Sequence, residues 1–237
     1  MSQKSFANSY SGGILAFCFA MLFAACAFGQ DIDPRITFLG GASLLSASRS
    51  FVIGARLFDT QFQNGIKIGV RGTFNITEHL GVEGTYSFSS NGLRVTGLAP
   101  ATVQDYGVHL HQFTGNALYF FTAKGRLFRP FVTAGLGVSR YSPTSDAKLA
   151  AAQNFLGETA VLTSASEFNF NFGAGIEAKP WDHFGVRLDF RDHITGIPRF
   201  GLPQTATSPA APFFPVQGRA QDFEITTGFI YYFAGAK

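Results

Sequence analysis

The 237-residue sequence predicts an all-β fold: a closed antiparallel eight-stranded transmembrane up-and-down β-barrel, preceded by a signal peptide. Three observations predict it. Apolar and polar residues alternate along most of the chain, the connections alternate between short and long, and an apolar leader comes first. Successive side chains of a strand point to opposite faces, so each such segment has one apolar and one polar face. Since no helices are available to cover the apolar faces, we expect them to face lipid from a closed barrel.

The leader is predicted to be a signal peptide at residues 1–29, leaving a barrel domain at residues 30–237. Lys4 supplies a positive charge, and Gly13–Gly29 is an apolar run that ends in small residues, with cleavage after Gly29. An N-terminal membrane helix and a lipoprotein acylated at Cys26 are the alternatives. Because Cys18 and Cys26 both lie in the leader, the mature chain is expected to have no disulfide and no cysteine metal site.

Eight segments carry the alternating pattern, and the sixth is the clearest, with Phe168, Phe170 and Phe172 on its apolar face. In the fourth segment two registers compete: Phe113 and Tyr119 face outward in one, and Leu118 faces outward in the other. The predicted strands are residues 35–45, 64–76, 79–90, 108–121, 128–141, 167–179, 184–194 and 221–233.

The connections between these segments alternate in length, as they do in bacterial outer-membrane barrels with short periplasmic turns and longer external loops. Within the long links we expect a short helix in 146–157 and an extended, solvated, proline-rich stretch in 195–220. Aromatic residues near the loop bases are expected to contact a partner or to lie in the lipid-interface girdle: Phe51, Phe58, Phe62, Tyr141, Phe155, Phe200, Phe213 and Phe214. The short links are residues 77–79, 122–127 and 180–183, and the long links are 46–63, 91–107, 142–166 and 195–220.

Charged residues fall on the inward faces of the predicted strands. The two signs are similar in number, so we expect them to pair across the lumen, because an unpaired buried charge is costly. Two functions compete: a structural plug of salt bridges, or a narrow solute channel in which Arg187 and Arg191 swing away from Asp222 and Glu224. The predicted lumen cluster is Lys67, Arg71, Glu83, Glu177, Arg187, Asp189, Arg191, Asp222 and Glu224, with Glu167 also inward.

Enzyme activity on membrane lipids is an alternative function. A lipid-modifying enzyme would need a serine, a histidine and a carboxylate together near the outer rim. The candidates there are His109, His111, Asp105, His193 and Asp192. We expect no enzyme activity and no cofactor.

A similar turn sequence occurs twice, in Thr77–Glu83 and in Trp181–Arg187, and suggests that the two turns share one structure. The alternative is that His79 and His183 of these turns bind a metal ion. We expect no metal site. The net charge of +3, with no run of basic residues, argues against nucleic-acid binding.

The last strand carries a pattern of polar residue, glycine and alternating aromatic residues at Thr226, Gly228, Tyr231 and Phe233. With the leader and the strand count, the chain resembles the OmpA/OmpX-like family of eight-stranded outer-membrane β-barrels, over residues 30–233. The resemblance implies that these four residues are the signal read by the barrel assembly machinery. It implies location in the outer-membrane bilayer of a Gram-negative-type bacterium. It also implies a structural or surface-interaction role, with an extracellular partner bound through the long loops. The peptidoglycan-binding domain of longer relatives is not expected.

Overall fold

The computed structural model describes residues 33–46, 48–53, 56–98, 101–155, 159–205, 213–214 and 218–233. The predicted leader lies outside these residues. The described chain forms strands and one short helix. They are β1 (Asp33–Ser46), β2 (Ser48–Ile53), β3 (Arg56–Asn75), β4 (Leu80–Leu98), β5 (Ala101–Phe120), β6 (Phe128–Pro143), α1 (Ser145–Gln153), β7 (Ala165–Ala178), β8 (Phe184–Gly196) and β9 (Arg219–Tyr232).

The sheet closes on itself with eight strand positions. β1 pairs with the second half of β3 and β2 pairs with the first half, so β1 and β2 together occupy one position. β1 also pairs along its length with β9, from Arg35 opposite Tyr232 to Ser46 opposite Gln221, which joins the two edges of the sheet. All strand pairs are antiparallel, and apart from β1 with β9 and β1 with β3 each pair joins strands that are consecutive in the chain. The predicted closed, up-and-down eight-stranded barrel is therefore confirmed.

The apolar faces of the strands point outward, as the alternation predicted. On β7, Phe168 is 63% exposed and Phe172 is 44% exposed, and the other strands repeat this pattern. β5 resolves the open register, since Tyr119 is 46% exposed while Leu118 and Phe120 are buried. An outward apolar surface rich in aromatic residues is typical of transmembrane barrels, which carry an apolar band between two aromatic girdles.

The apolar outward run is about ten residues tall, counted from the short turns. On β5 it ends at Phe113, and the next outward positions are His111 and His109. This height matches the nine to eleven residues, roughly, that a tilted strand needs to cross a bilayer. The strands continue beyond this lipid-facing band at the end opposite the chain termini.

The predicted long links 46–63 and 91–107 are wrong as loops, because the structure forms strands through most of them. β3 begins at Arg56, and β4 and β5 run to Leu98 and from Ala101, so two hairpins extend well past the lipid-facing band. A β-bulge between Gln63 and Ile66 shifts the facing of β3 by one residue. In a regular strand Phe62 and Lys67 would face opposite sides because one number is even and the other is odd. The bulge places both inside, so the alternation is not visible in the sequence across it.

The one helix of the described residues lies in the third long link, where the sequence predicted it. Thr144 caps α1 by accepting a hydrogen bond from the Ala147 backbone N–H, at 3.2 Å. Ala147 and Ala151 lie on its buried face, which turns toward the interior of the barrel end. Across the described ranges, α1 included, no helix has the length and apolarity to cross a membrane.

Candidate functional site

The lumen within the lipid-facing band holds a continuous network of ion pairs. Every member is at most 3% exposed, and the described residues contribute five cations and five carboxylates. The members, which we call the lumen network, are Arg35, Lys67, Arg71, Arg187 and Arg191 with Glu83, Glu177, Asp189, Asp222 and Glu224. The nine residues predicted for this cluster all lie in it, and Arg35 joins them.

Glu83 and Asp189 form the centre of the network. Glu83 lies 2.7 Å from an Nη atom of both Arg187 and Arg191. Asp189 accepts hydrogen bonds from Arg187 Nε and Nη2 at 2.7 and 2.9 Å, a two-pronged contact that fixes the guanidinium plane. β4 and β8 occupy opposite positions of the eight-membered ring, so the contact between Glu83 and Arg187 spans the lumen.

Toward the extended hairpins, Arg71 and Lys67 continue the chain of charges. Arg71 contacts Asp189 at 2.6 Å and also pairs closely with Glu224. The Lys67 ammonium lies 2.8 Å from Asp222 and 3.0 Å from Glu224. With a third hydrogen bond to Gln112, at 2.7 Å, all three protons of this ammonium have an acceptor.

Toward the short turns, the network ends against aromatic rings. Arg35 lies 3.1 Å from Glu177, which also contacts Arg187 at 3.2 Å. The Arg35 guanidinium lies 5.1 Å from the centre of the Phe120 ring and 5.8 Å from that of Tyr232. Sequence reasoning missed Arg35, although it precedes the outward-facing Ile36 and the alternation therefore assigns it to the lumen.

The partners within the network differ from those that the sequence suggested. Arg187 and Arg191 were expected opposite Asp222 and Glu224, but they pair with Glu83 and Asp189, and Lys67 and Arg71 take the two β9 carboxylates. The order of strands around the ring causes this, because β3 and β9 both flank β1 and lie close together, whereas β4 lies opposite β8. Glu167, also predicted to face inward, is half-buried near the external end and forms no ion pair with a described residue.

Above the network the interior becomes apolar. Tyr106 lies there with its hydroxyl donating to Gln104 at 2.7 Å, and burial raises the pKa of Tyr106 to about 12. We call this group the external apolar cluster. It contains Leu45, Phe58, Phe62, Leu93, Val95, Tyr106, Val108, Leu110, Tyr141, Phe155, Leu162, Ile197, Phe200, Leu202 and Phe214, together with four alanines.

The external apolar cluster overturns two expectations about the loops. The aromatic residues at the loop bases were expected to meet a partner or the lipid interface, but six of them are buried in the cluster: Phe58, Phe62, Tyr141, Phe155, Phe200 and Phe214. Phe213 is half-buried, and the side chain of Phe51 lies outside the described residues. The expectation that the proline-rich link is wholly solvated is also wrong, since it buries Ile197, Phe200, Leu202 and Phe214.

The rim candidates for catalysis are not brought together. His109 and His111 point outward from β5, where their rings lie 5.3 and 5.2 Å from that of Phe88. Asp105 pairs instead with Arg94, at 2.8 Å, on the exposed outer face of the same hairpin. His193 is buried in the lumen, 3.3 Å from Glu224. These placements give no support to a catalytic serine–histidine–carboxylate set.

Asp192, the last rim candidate, has its Cα opposite those of Phe172 and Phe223 on the neighbouring strands. It is 9% exposed, and Gln221 donates to its carboxylate at 3.5 Å. It therefore does not join His193 in a common site.

The two repeated turns share one structure. The backbone carbonyl of His79 accepts from the Phe120 N–H at 2.7 Å, while the His79 ring nitrogen lies 2.7 Å from the Phe120 carbonyl. His183 makes the same pair of contacts with Tyr232, at 2.9 and 3.2 Å. Each histidine thus makes two polar contacts with the residue at the end of the neighbouring strand. Within the described ranges, three or more metal-binding side chains nowhere come together.

The four residues of the predicted assembly signal lie on β9 and just after it. Thr226 is buried and donates to Glu224, and Gly228 faces the lumen, where a Cβ atom would lie 2.6 Å from Thr37. Tyr231 and Phe233 face outward, 37% and 54% exposed. The terminal residues 234–237 lie outside the described residues.

An apolar outer band, a lumen of paired charges and closure between the first and last strands together define a transmembrane β-barrel. The family model described as outer membrane protein β-barrel domain matches residues 15–225, and the chain belongs to this family. The family places the chain in the outer membrane.

Solved structures show the same fold. The outer membrane protein OprG from Pseudomonas aeruginosa is 16% identical, with a TM-score of 0.53, over 88% of this chain and 99% of that one. Neisserial surface protein A is 11% identical, with a TM-score of 0.50, over 86% of this chain and all of that one. No curated protein matches the sequence.

Proposed function

We propose that this protein is a closed, non-conducting outer-membrane scaffold that holds a folded, surface-exposed platform and binds an extracellular partner there. The observation that carries the proposal is the order of two layers inside the barrel, one above the other along the barrel axis. Paired charges fill the membrane-embedded lumen, and the external apolar cluster lies directly above them. Water and ions need an open and continuous polar path, but the lumen network fills the lumen and the external apolar cluster interrupts the polar lining.

The lumen network supports the closed state because its charges hold each other across the barrel. Moving Arg187 aside removes a cation contact from three carboxylates, Glu83, Glu177 and Asp189, and leaves the lumen network with one more negative than positive charge. Such an uncompensated buried charge is strongly unfavourable. Opening a pathway through the network would therefore cost more than rotating one exposed side chain.

Planar-bilayer recording tests the closed state. We expect no discrete conductance steps from the purified wild-type protein, and none from the matched surface variant Lys148→Gln on α1. Discrete steps in the wild type, altered by Arg187→Gln with Arg191→Gln but not by Lys148→Gln, would show a gated pore and overturn the proposal.

The extended hairpins and the last long link support a surface role. They carry exposed polar groups on a rigid base, which is the usual arrangement of binding loops on a barrel scaffold. For the test, residues 204–212 are replaced by a Gly/Ser linker of the same length, which retains Phe200, Leu202 and Phe214 in the cluster. We expect cells with this variant to lose adherence that wild-type cells show. Equal adherence, with equal amounts of folded protein at the surface, contradicts a role for this link.

Export and assembly belong to the same proposal. We propose that residues 1–29 are removed by a signal peptidase and that the C-terminal strand is read by the barrel assembly machinery. N-terminal sequencing of protein from outer membranes is expected to begin at Gln30. Phe233→Ala with Tyr231→Ala is expected to reduce the amount of assembled barrel, whereas Phe229→Ala, on the same face but outside the proposed signal, serves as the control.

A further inference from the structure

A basic pocket lies at the periplasmic mouth of the barrel, inside the ring of short turns. It encloses about 300 Å³ of space, part of it open to solvent. Four basic residues and two carboxylates line it: Lys124, Arg126, Arg129 and Lys179 with Asp33 and Glu177.

Both carboxylates of this pocket already have partners. Glu177 belongs to the lumen network and contacts Arg35 and Arg187, at 3.1 and 3.2 Å. Asp33 accepts a hydrogen bond from the Asn75 side chain at 3.3 Å. The pocket therefore has an excess of positive charge that its own carboxylates do not balance.

Arg129 is the unusual member of the pocket. It is only 6% exposed, its guanidinium lies 3.9 Å from the centre of the Phe120 ring, and its Nη2 donates to the Glu78 carbonyl at 3.0 Å. Its Nε donates to the Thr122 carbonyl at 3.5 Å. Unlike each of the five lumen-network cations, Arg129 has no carboxylate among the described residues within salt-bridge distance.

A buried guanidinium without a carboxylate favours an anion from outside. The planar fork of arginine matches the oxygens of phosphate, and lysine ammonium groups add charge without fixing direction. Lys179 is held at the pocket with its ammonium 4.3 Å from the centre of the Tyr232 ring. The pocket combines one oriented guanidinium with three further cations, which is the chemistry of a phosphate site.

We propose that the periplasmic mouth binds a phosphate group, with Arg129 as the orienting residue and Lys124, Arg126 and Lys179 as supporting cations. Two sources share this chemistry: free phosphate of the periplasm and the headgroup of an anionic phospholipid in the inner leaflet.

Calorimetric titration with inorganic phosphate tests the site, using the full barrel folded in maltoside micelles that contain no phosphate. We expect saturable binding by the wild type, at least tenfold weaker binding by Arg129→Gln, and unchanged binding by Lys148→Gln, which makes a comparable charge change at the opposite end. Folding of each variant is checked by heat-modifiable gel migration. If Arg129→Gln does not fold, Lys124→Gln with Arg126→Gln, both in a turn, is expected to weaken binding at least fivefold.

A second arm distinguishes the sources. The same titration is repeated in phosphatidylglycerol nanodiscs: weaker apparent phosphate binding there than in micelles indicates that the headgroup occupies the pocket, and equal binding indicates free phosphate. Absence of saturable phosphate binding by the wild type in micelles overturns the proposal. So does equal binding by the wild type and a folded pocket variant.

Discussion

The same strands build two opposite interiors. In the lipid-facing band, β3, β4 and β5 carry apolar side chains outside and polar ones such as Lys67, Glu83 and Gln112 inside. Beyond that band the same strands bury Phe62 and Leu93, and Arg94 and Asp105 form an exposed pair outside. The surrounding solvent explains the inversion. Lipid favours an apolar exterior and leaves polar groups to the lumen, whereas water favours the reverse.

The largest expected effect comes from breaking the polar interior. Glu83→Ala removes the carboxylate that contacts both Arg187 and Arg191, so it leaves buried positive charge without compensation. We expect a loss of about 3–5 kcal/mol in the free energy of unfolding. Urea unfolding in lipid vesicles, followed by tryptophan fluorescence, measures it. Glu167→Gln, at a half-buried carboxylate outside the network, is the control, and an equal loss there contradicts the network argument.

A matched pair of substitutions compares the outer faces of the two regions. Leu136 in the lipid-facing band and Val103 beyond it are 55% and 61% exposed. Leu136→Arg is expected to cost about 2–4 kcal/mol because the charge enters the bilayer, and Val103→Arg is expected to cost almost nothing because it meets water. The same urea experiment measures both. Similar costs at the two positions would mean that the lipid boundary has been placed wrongly.

The apolar interior is expected to respond less. Leu93→Ala leaves a cavity in the external apolar cluster, with an expected cost of about 2–3 kcal/mol, toward the low end because surrounding loops partly collapse. Limited proteolysis of intact cells should detect faster cleavage of the external half and no change in the heat-modifiable band. Val103→Ala on the outside of the same hairpin is the control. Unchanged cleavage of Leu93→Ala would argue that the cluster is not a packed core.

The smallest effect is expected at the exposed pair. The Arg94 guanidinium donates to Asp105 and holds the pKa of that carboxyl below its usual value. In Arg94→Gln this pKa should rise toward the usual range, as measured by NMR titration. Because the pKa of Asp105 is lower in the folded than in the unfolded protein, its ionisation stabilises the folded state at a pH above the unfolded pKa. This contribution is lost as the pH falls through the pKa of the folded state. Because the pair is exposed, no measurable change in unfolding at pH 7 is expected. An unchanged Asp105 pKa contradicts the pairing.

The two regions also differ in how far the sequence predicts them. Alternation predicted the lipid-facing strands, because most apolar outward residues, such as Phe168 on β7, have a polar or small inward neighbour. It placed nine lumen charges but could not assign their partners, since these depend on how the ring closes. The external strands were missed because their apolar face is turned inward and because the bulge after Gln63 changes the parity of β3.

The closing pair of β1 and β9 has a consequence for the order of folding. Glu83 and Arg187 are 104 residues apart in the chain, and Arg71 and Glu224 are 153 apart. An open sheet of these strands would keep the pairs within β8 and between β7 and β8, such as Arg187 with Asp189 and with Glu177, but it would lack the pairs between β4 and β8 and between β3 and β9. Full neutralisation of the lumen network therefore requires closure of the ring, and a half-assembled barrel leaves part of its inward charge without a partner.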